Sequence, residues 1–79
     1  MNTQYTELAG IVEQFAVSGL EMLADAAADW LAAEGAAKES AAIRLIFAIE
    51  STDGGSEYDK LYKRALELKD FMFANVTAI

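Results

Sequence analysis

Carboxylates dominate the reactive side chains of this sequence, and their placement is one-sided. Glu7, Glu13, Glu21, Asp25, Asp29 and Glu34 occupy the first 37 residues with no Lys or Arg among them, whereas residues 38–79 hold seven acids against six bases. Glu21, Asp25 and Asp29 are spaced four apart, so on one helix they line one side with about 6 Å of axial rise between neighbours. Like charges at that spacing cost an isolated helix roughly a few tenths of a kcal/mol per pair, and a surface serving structure alone would intersperse bases. Three kinds of chemistry suit carboxylates: holding a hard cation, moving protons, and attracting a positively charged partner.

The first kind finds little support. Asp53, Glu57 and Asp59 stand near Gly54 and Gly55 and would offer hard oxygen ligands, but their spacing departs from the twelve-residue EF-hand loop. They read as a solvated turn leading into a helix whose start favours negative charge. The bases Lys60, Lys63 and Arg64 suggest an anion site until their neighbours are counted. Glu57 precedes Lys60 by three, Asp59 precedes Lys63 by four and Glu67 follows Arg64 by three, the spacing of a salt-bridged solvent face. Asn75-Val76-Thr77 matches a glycosylation acceptor, a pattern frequent by chance.

Proton transfer and nucleophilic catalysis lack their usual agents. His and Cys are both absent, which removes the commonest general base, the commonest transition-metal ligand and the best thiol nucleophile. No Ser-x-x-Lys, Gly-x-Ser-x-Gly, P-loop or Gly-x-Gly-x-x-Gly motif occurs. We therefore expect a protein that is not an enzyme, with no catalytic residue, cofactor or metal. Electrostatic attraction is left.

The elements that must position these charges are helical. Proline is absent and Ala, Leu and Glu are abundant, a composition of high helix propensity. Tyr5, Leu8, Val12 and Phe15, with Ile11 beside them, recur at three- and four-residue steps and predict a helix over 3–17. Leu20, Leu23, Ala27, Trp30 and Leu31 continue the stripe to Glu34, with Gly35 placed to cap that C-terminus. Ser18 and Glu21 have capping-box spacing beside Gly19, which favours a break, because an unbroken helix of about 31 residues would run roughly 46 Å. That length would suit a dimer better than a compact monomer. A further helix over 36–50 carries Ile43, Leu45, Ile46, Phe47 and Ile49, a cluster that wraps much of its circumference and marks it as the central, most buried element. Residues 51–56 form the clear loop. Ser56 reads as the N-cap of a last helix reaching about Asn75, with a seam of Tyr58, Leu61, Ala65, Leu68 and Met72 widened by Tyr62, Leu66 and Phe73. The expected fold is all-α, a compact three- or four-helix bundle forming a single domain over 1–79.

Composition sets the remaining bounds. A chain of 79 residues with 54% hydrophobic and 24% charged side chains lies well outside the disordered regime, although its core must be small. No apolar run approaches the roughly 20 residues of a membrane span, since Asp25, Asp29 and Arg44 interrupt the longest ones. The net charge of −7 repels nucleic acid and anionic lipid, so neither is expected as a direct partner. The lack of a signal-like N-terminus and of cysteine points to a cytoplasmic location.

An acidic ridge with no basic counterpart admits two readings. One is a solubility face for an apolar domain. The other is docking on a basic protein surface, with charge complementarity steering association. Carboxylates spaced near the phosphate repeat would suit the nucleic-acid channel of another protein, as a nucleic-acid mimic. In size, charge and compactness the chain resembles small phage-encoded inhibitors of host defence, such as anti-CRISPR and anti-restriction proteins, a resemblance that carries no motif and transfers no residue. It implies an inhibitor bound to a nucleic-acid-handling complex; the charge asymmetry, and not the resemblance, places the contact on Glu21, Asp25 and Asp29, with Glu13 and Glu34 in support. The alternative is a helical oligomerisation or adaptor module, a homodimer joined through exposed parts of residues 43–49 or 71–79.

Overall fold

The computed structural model describes residues 3–52 and 58–73. All regular structure among them is helical: α1 (Thr3–Ala16), α2 (Glu21–Ala32), α3 (Ala36–Ser51), α4 (Asp59–Glu67) and α5 (Lys69–Met72). The expected all-α fold holds, in five helices where three or four were expected. No helix among the described residues is long and apolar enough to cross a membrane.

The stripe on α1 does what its spacing predicts, burying Leu8, Ile11, Val12 and Phe15. The chain then breaks. Gly19 adopts a φ of 83°, a left-handed conformation that costs residues with a Cβ far more than glycine. A longest dimension of 32 Å leaves no room for an unbroken helix of about 46 Å. The capping box expected from Ser18 and Glu21 does not form. Ser18 instead accepts a hydrogen bond from the Leu20 amide at 3.2 Å, and Leu20 occupies the N-cap position with no side-chain cap.

Helix α2 packs between α1 and α3, and α4 and α5 return across α1, with α5 also reaching α3. Leu23, Ala26, Ala27 and Trp30 face inward from α2, whereas Leu31 stands partly in solvent. Trp30 is wholly buried. Its indole Nε1 donates to the main-chain carbonyl of Met72 at 2.8 Å, tying α2 to the end of α5. The Tyr5 ring packs on it with centroids 5.7 Å apart.

Gly35 does not cap α2. The C-cap is Ala33, whose amide reaches the Asp29 and Trp30 carbonyls, and Gly35 takes the N-cap position of α3 with φ of 61° and ψ of −138°. The cation that serves the α2 terminus is Lys38. Its ammonium donates to the Trp30 carbonyl at 2.8 Å and lies 3.9 Å from the Trp30 ring centroid, on the aromatic face. A charge only 7% exposed is tolerable there because the helix C-terminus and the ring quadrupole both favour a cation.

The last helical segment differs from its expected single run. Leu68 takes φ of −99° and ψ of 12°, and its amide bonds to the Arg64 and Ala65 carbonyls, both at 3.1 Å, tightening the turn before α5 begins. The break leaves Leu68 and Met72 both buried and brings the Met72 carbonyl to Trp30. Of the expected seam, Tyr62, Ala65, Leu68 and Met72 are buried, Tyr58, Leu61 and Leu66 are half-buried, and Phe73 is exposed. The Ser56 cap, most of the loop over 51–56 and the helix beyond Phe73 lie outside the described residues.

Arg64 fastens α4 to α1. Its Nε and one terminal nitrogen donate to the two carboxylate oxygens of Glu7 at 2.7 and 2.8 Å, and its other nitrogen reaches Glu67 at 2.9 Å. These hydrogen bonds, and then the guanidinium charge, hold the Glu7 carboxyl below its ordinary value of 4.5. A depressed folded-state value stabilises the fold above the unfolded value and is lost as pH falls through the folded one.

Two predictions follow from this frame. Trp30→Phe removes the donor to Met72 and leaves a void, and denaturant titration should show a loss of about 2 kcal/mol or more with helical circular dichroism retained under native conditions. Glu7→Gln should be less stable than the parent near neutral pH, and the gap should close as pH drops below 4.5; a gap that widens in acid contradicts the linkage.

Candidate functional site

The five carboxylates singled out in the sequence do not share one face. Glu21, Asp25 and Asp29 are exposed along α2, as their spacing requires. Glu13 lines a shallow depression between α1 and α2 with Val17 and Leu31. At about 100° per residue, Leu31 and Asp29 project from nearly opposite flanks of α2, so Glu13 stands apart from the ridge. Glu34 is exposed in the connection between α2 and α3.

Nor is the ridge wholly uncompensated. Arg44 on α3 donates to the Asp29 carboxylate, forming an ion pair whose side chains are both more than half exposed. Pairs of this kind contribute little in water, about 0–1 kcal/mol, but this one cancels the charge at one end of the ridge. Glu21, Asp25, Glu13 and Glu34 enter no ion pair among the described residues, whereas Arg44, Lys63 and Arg64 are all engaged, Lys63 with Asp59 at 3.1 Å. The helical pairings expected for Lys63 and Arg64 are present; that of Lys60 involves Glu57, which lies outside the described residues. Among the described residues no group of three Asp or Glu is arranged to hold a metal ion.

Beside the ridge lies a feature that the sequence reading misplaced. Helix α3 was expected to be the central, most buried element, with an apolar cluster around much of its circumference. It turns Lys38, Ala41, Ala42, Leu45, Ala48 and Ile49 inward and leaves Ile43 and Phe47 59% and 64% exposed. The alanines explain the difference: small side chains on the inner face let α2 approach closely, and the two large residues, four apart, fall on the outer face. Met22 of α2, 60% exposed, stands near them. Between α2 and α3 they line an open groove of about 390 Å³, with Ala26 and Ala48 also lining it and Asp25, Asp29 and Arg44 at its edge.

Glu39 precedes Ile43 by four and Glu50 follows Phe47 by three, and both are exposed, so they stand one turn before and one turn after the apolar pair on the outward face of α3. The groove thus has an apolar floor with carboxylates along its α2 side, Glu39 and Glu50 beyond the two ends of the Ile43 and Phe47 stripe, and Arg44 taken up by Asp29. The sequence held the signal in the i, i+4 pair Ile43 and Phe47, which the all-round apolar cluster concealed.

Neither a family model, nor a curated protein, nor a solved structure matches this chain.

The two faces of α3 should separate in mutagenesis. Phe47→Ser is expected to change the unfolding free energy by less than about 0.5 kcal/mol, whereas Leu45→Ala, wholly buried, should cost about 2–5 kcal/mol. Denaturation curves of the two variants check this directly.

Proposed function

We propose that this is a non-catalytic acidic binding protein that docks through the α2 ridge on the basic surface of a nucleic-acid-handling protein and inhibits it. The observation that carries the reading is the distribution of counter-charge. Arg44, Lys63 and Arg64 pair with carboxylates elsewhere or at the ridge's end, and Lys38 is buried on Trp30, while the exposed Glu21 and Asp25 enter no ion pair among the described residues. An acidic field kept open on one helix attracts a basic surface at long range and sets the orientation of approach. Glu21 and Asp25 carry most of the attraction, Asp29 shares its charge with Arg44, and Glu13 and Glu34 add to the field from outside the ridge. The resemblance in size and charge to phage-encoded inhibitors of host defence agrees with this mode, in which this chain takes the place of nucleic acid on the partner.

A second reading draws on the exposure of Ile43 and Phe47: the chain is a homo-oligomerisation module and its acids serve solubility. Light scattering coupled to size exclusion separates the two, since a concentration-independent monomer removes the second.

The ridge is tested by affinity capture from the native host lysate. A basic nucleic-acid-handling protein should be retained at low ionic strength and released as salt rises, because exposed charges are screened beyond about 10 Å at 0.1 M. Glu21→Lys combined with Asp25→Lys should reduce capture at least about tenfold, a change of roughly 1.4 kcal/mol, with helical circular dichroism unchanged. Undiminished capture by the double variant overturns the proposal.

A further inference from the structure

Charge alone does not account for the groove beside the ridge. Met22, Ile43 and Phe47 expose most of their surface where two helices, α2 and α3, leave an open channel that Asp25 and Asp29 also line. Their alignment is antiparallel: Met22 lies across from Phe47 and Ala48, and Asp29 across from Arg44. Two packed antiparallel helices leave a straight furrow into which the ridge of a third helix fits. Its lining covers 22–29 of α2 and 43–48 of α3, roughly 10 Å of helix rise, and the ion pair of Asp29 with Arg44 joins the two helices at one end of it.

Resting on the binding role proposed above, we infer that this groove receives an amphipathic helix of the basic partner, its apolar side seated on Met22, Ile43 and Phe47 and its Lys or Arg side chains meeting the carboxylates around them. Glu21 and Asp25 lie on the α2 side of the floor, and Glu39 and Glu50 stand one turn beyond either end of the apolar stripe on α3. A helix with one apolar stripe and cations flanking it matches that pattern in register, and helix-in-groove recognition reads such a ligand by anchors at i, i+3 or i+4 and i+7. Met22 contributes an adaptable thioether and Phe47 a large rigid ring, the kind of anchor that dominates interface energetics. A second copy of this chain fits poorly, because a symmetric contact would set these four carboxylates against their own equivalents, and like charges juxtaposed at an interface cost several kcal/mol.

The test uses the full chain, isotopically labelled, and three synthetic probes of about 14 residues, roughly 21 Å as a helix. One is a Leu/Lys peptide patterned at the helical period, one has the same composition in strict alternation, and one is oligolysine. The helix-patterned peptide should bind most tightly, gain helicity on binding, and shift the amide resonances of Ala26, Ile43, Phe47 and their neighbours. Phe47→Ser should weaken it at least about tenfold, while Val17→Ser, an exposed apolar position on the other side of α2, should leave affinity within about twofold.

Absence of binding by that peptide, resonance shifts centred elsewhere, or indifference to Phe47→Ser each overturns the groove. Equal affinity for all three peptides does so too, and leaves the ridge as a purely electrostatic surface, so the earlier reading survives that outcome. Binding that persists unchanged in Glu21→Lys combined with Asp25→Lys overturns the basic character of the occupant and counts against the ridge itself. A dimer in sedimentation whose interface resonances are those of the groove assigns it to a second copy.

Discussion

Burying the indole of Trp30 takes a hydrogen-bond donor out of water, and an unsatisfied buried donor costs about 1–3 kcal/mol. The main-chain carbonyl of Met72 meets it at 2.8 Å, and much of the remaining architecture answers to that contact. It requires the end of α5 to lie against α2, which requires the last helical segment to bend at Leu68 instead of continuing straight. It places the end of α2 deep in the fold, where the Trp30 carbonyl needs a partner of its own, and Lys38 supplies it from the first turn of α3. The Tyr5 ring packs beside both, its centre 5.7 Å from that of the indole and 5.9 Å from the Lys38 ammonium. One side chain thus gathers α1, α2, α3 and α5, in a chain too short to build a second core.

The charge pattern follows from how that fold deals out six bases. One is spent inside, on Trp30. Arg64 joins α4 to the acid-rich first helix, and Arg44 joins α3 to the lower end of the α2 ridge. The first joins elements far apart in sequence and the second consecutive helices, so a chain that looks segregated into an acidic half and a neutral half is partly cross-neutralised once folded. What stays open beside the groove after this pairing is narrower than the sequence suggested: Glu21 and Asp25 on α2, with Glu39 and Glu50 along α3, while Glu13 and Glu34 stay open away from it. Open acidity next to exposed Met22, Ile43 and Phe47 gives an apolar centre with a charged border, the usual anatomy of a protein–protein interface.

Helix α3 shows how small and large residues divide labour. Its inner face is built mainly of alanine with Leu45 and Ile49, which permits α2 to pack closely; its outer face keeps Ile43 and Phe47 for something other than the core. A design for stability alone would exchange these faces or place polar residues outside, since exposed apolar patches are association sites or liabilities.

The sequence by itself determined the helical class, the stripe on α1 and the local pairing of Lys63 and Arg64 with carboxylates, because each depends on interactions within a turn or two of the chain; it favoured a break near Gly19 without deciding it, and the capping box that favoured it does not form. It also placed Glu21, Asp25 and Asp29 on one side of α2, which helical periodicity alone dictates. Only the tertiary structure decided that Gly35 starts α3 instead of ending α2, that Leu68 interrupts the last helix without any glycine or proline to mark it, and that Glu13 stands apart from the ridge. The same holds for Lys38 under Trp30, for Arg44 on Asp29 and Arg64 on Glu7, and for the outward face of Ile43 and Phe47. The physical reason is common to all of them: an apolar cluster or a charge carries no label for which neighbour it will meet, and that choice is made when helices distant in sequence compete for the same small core.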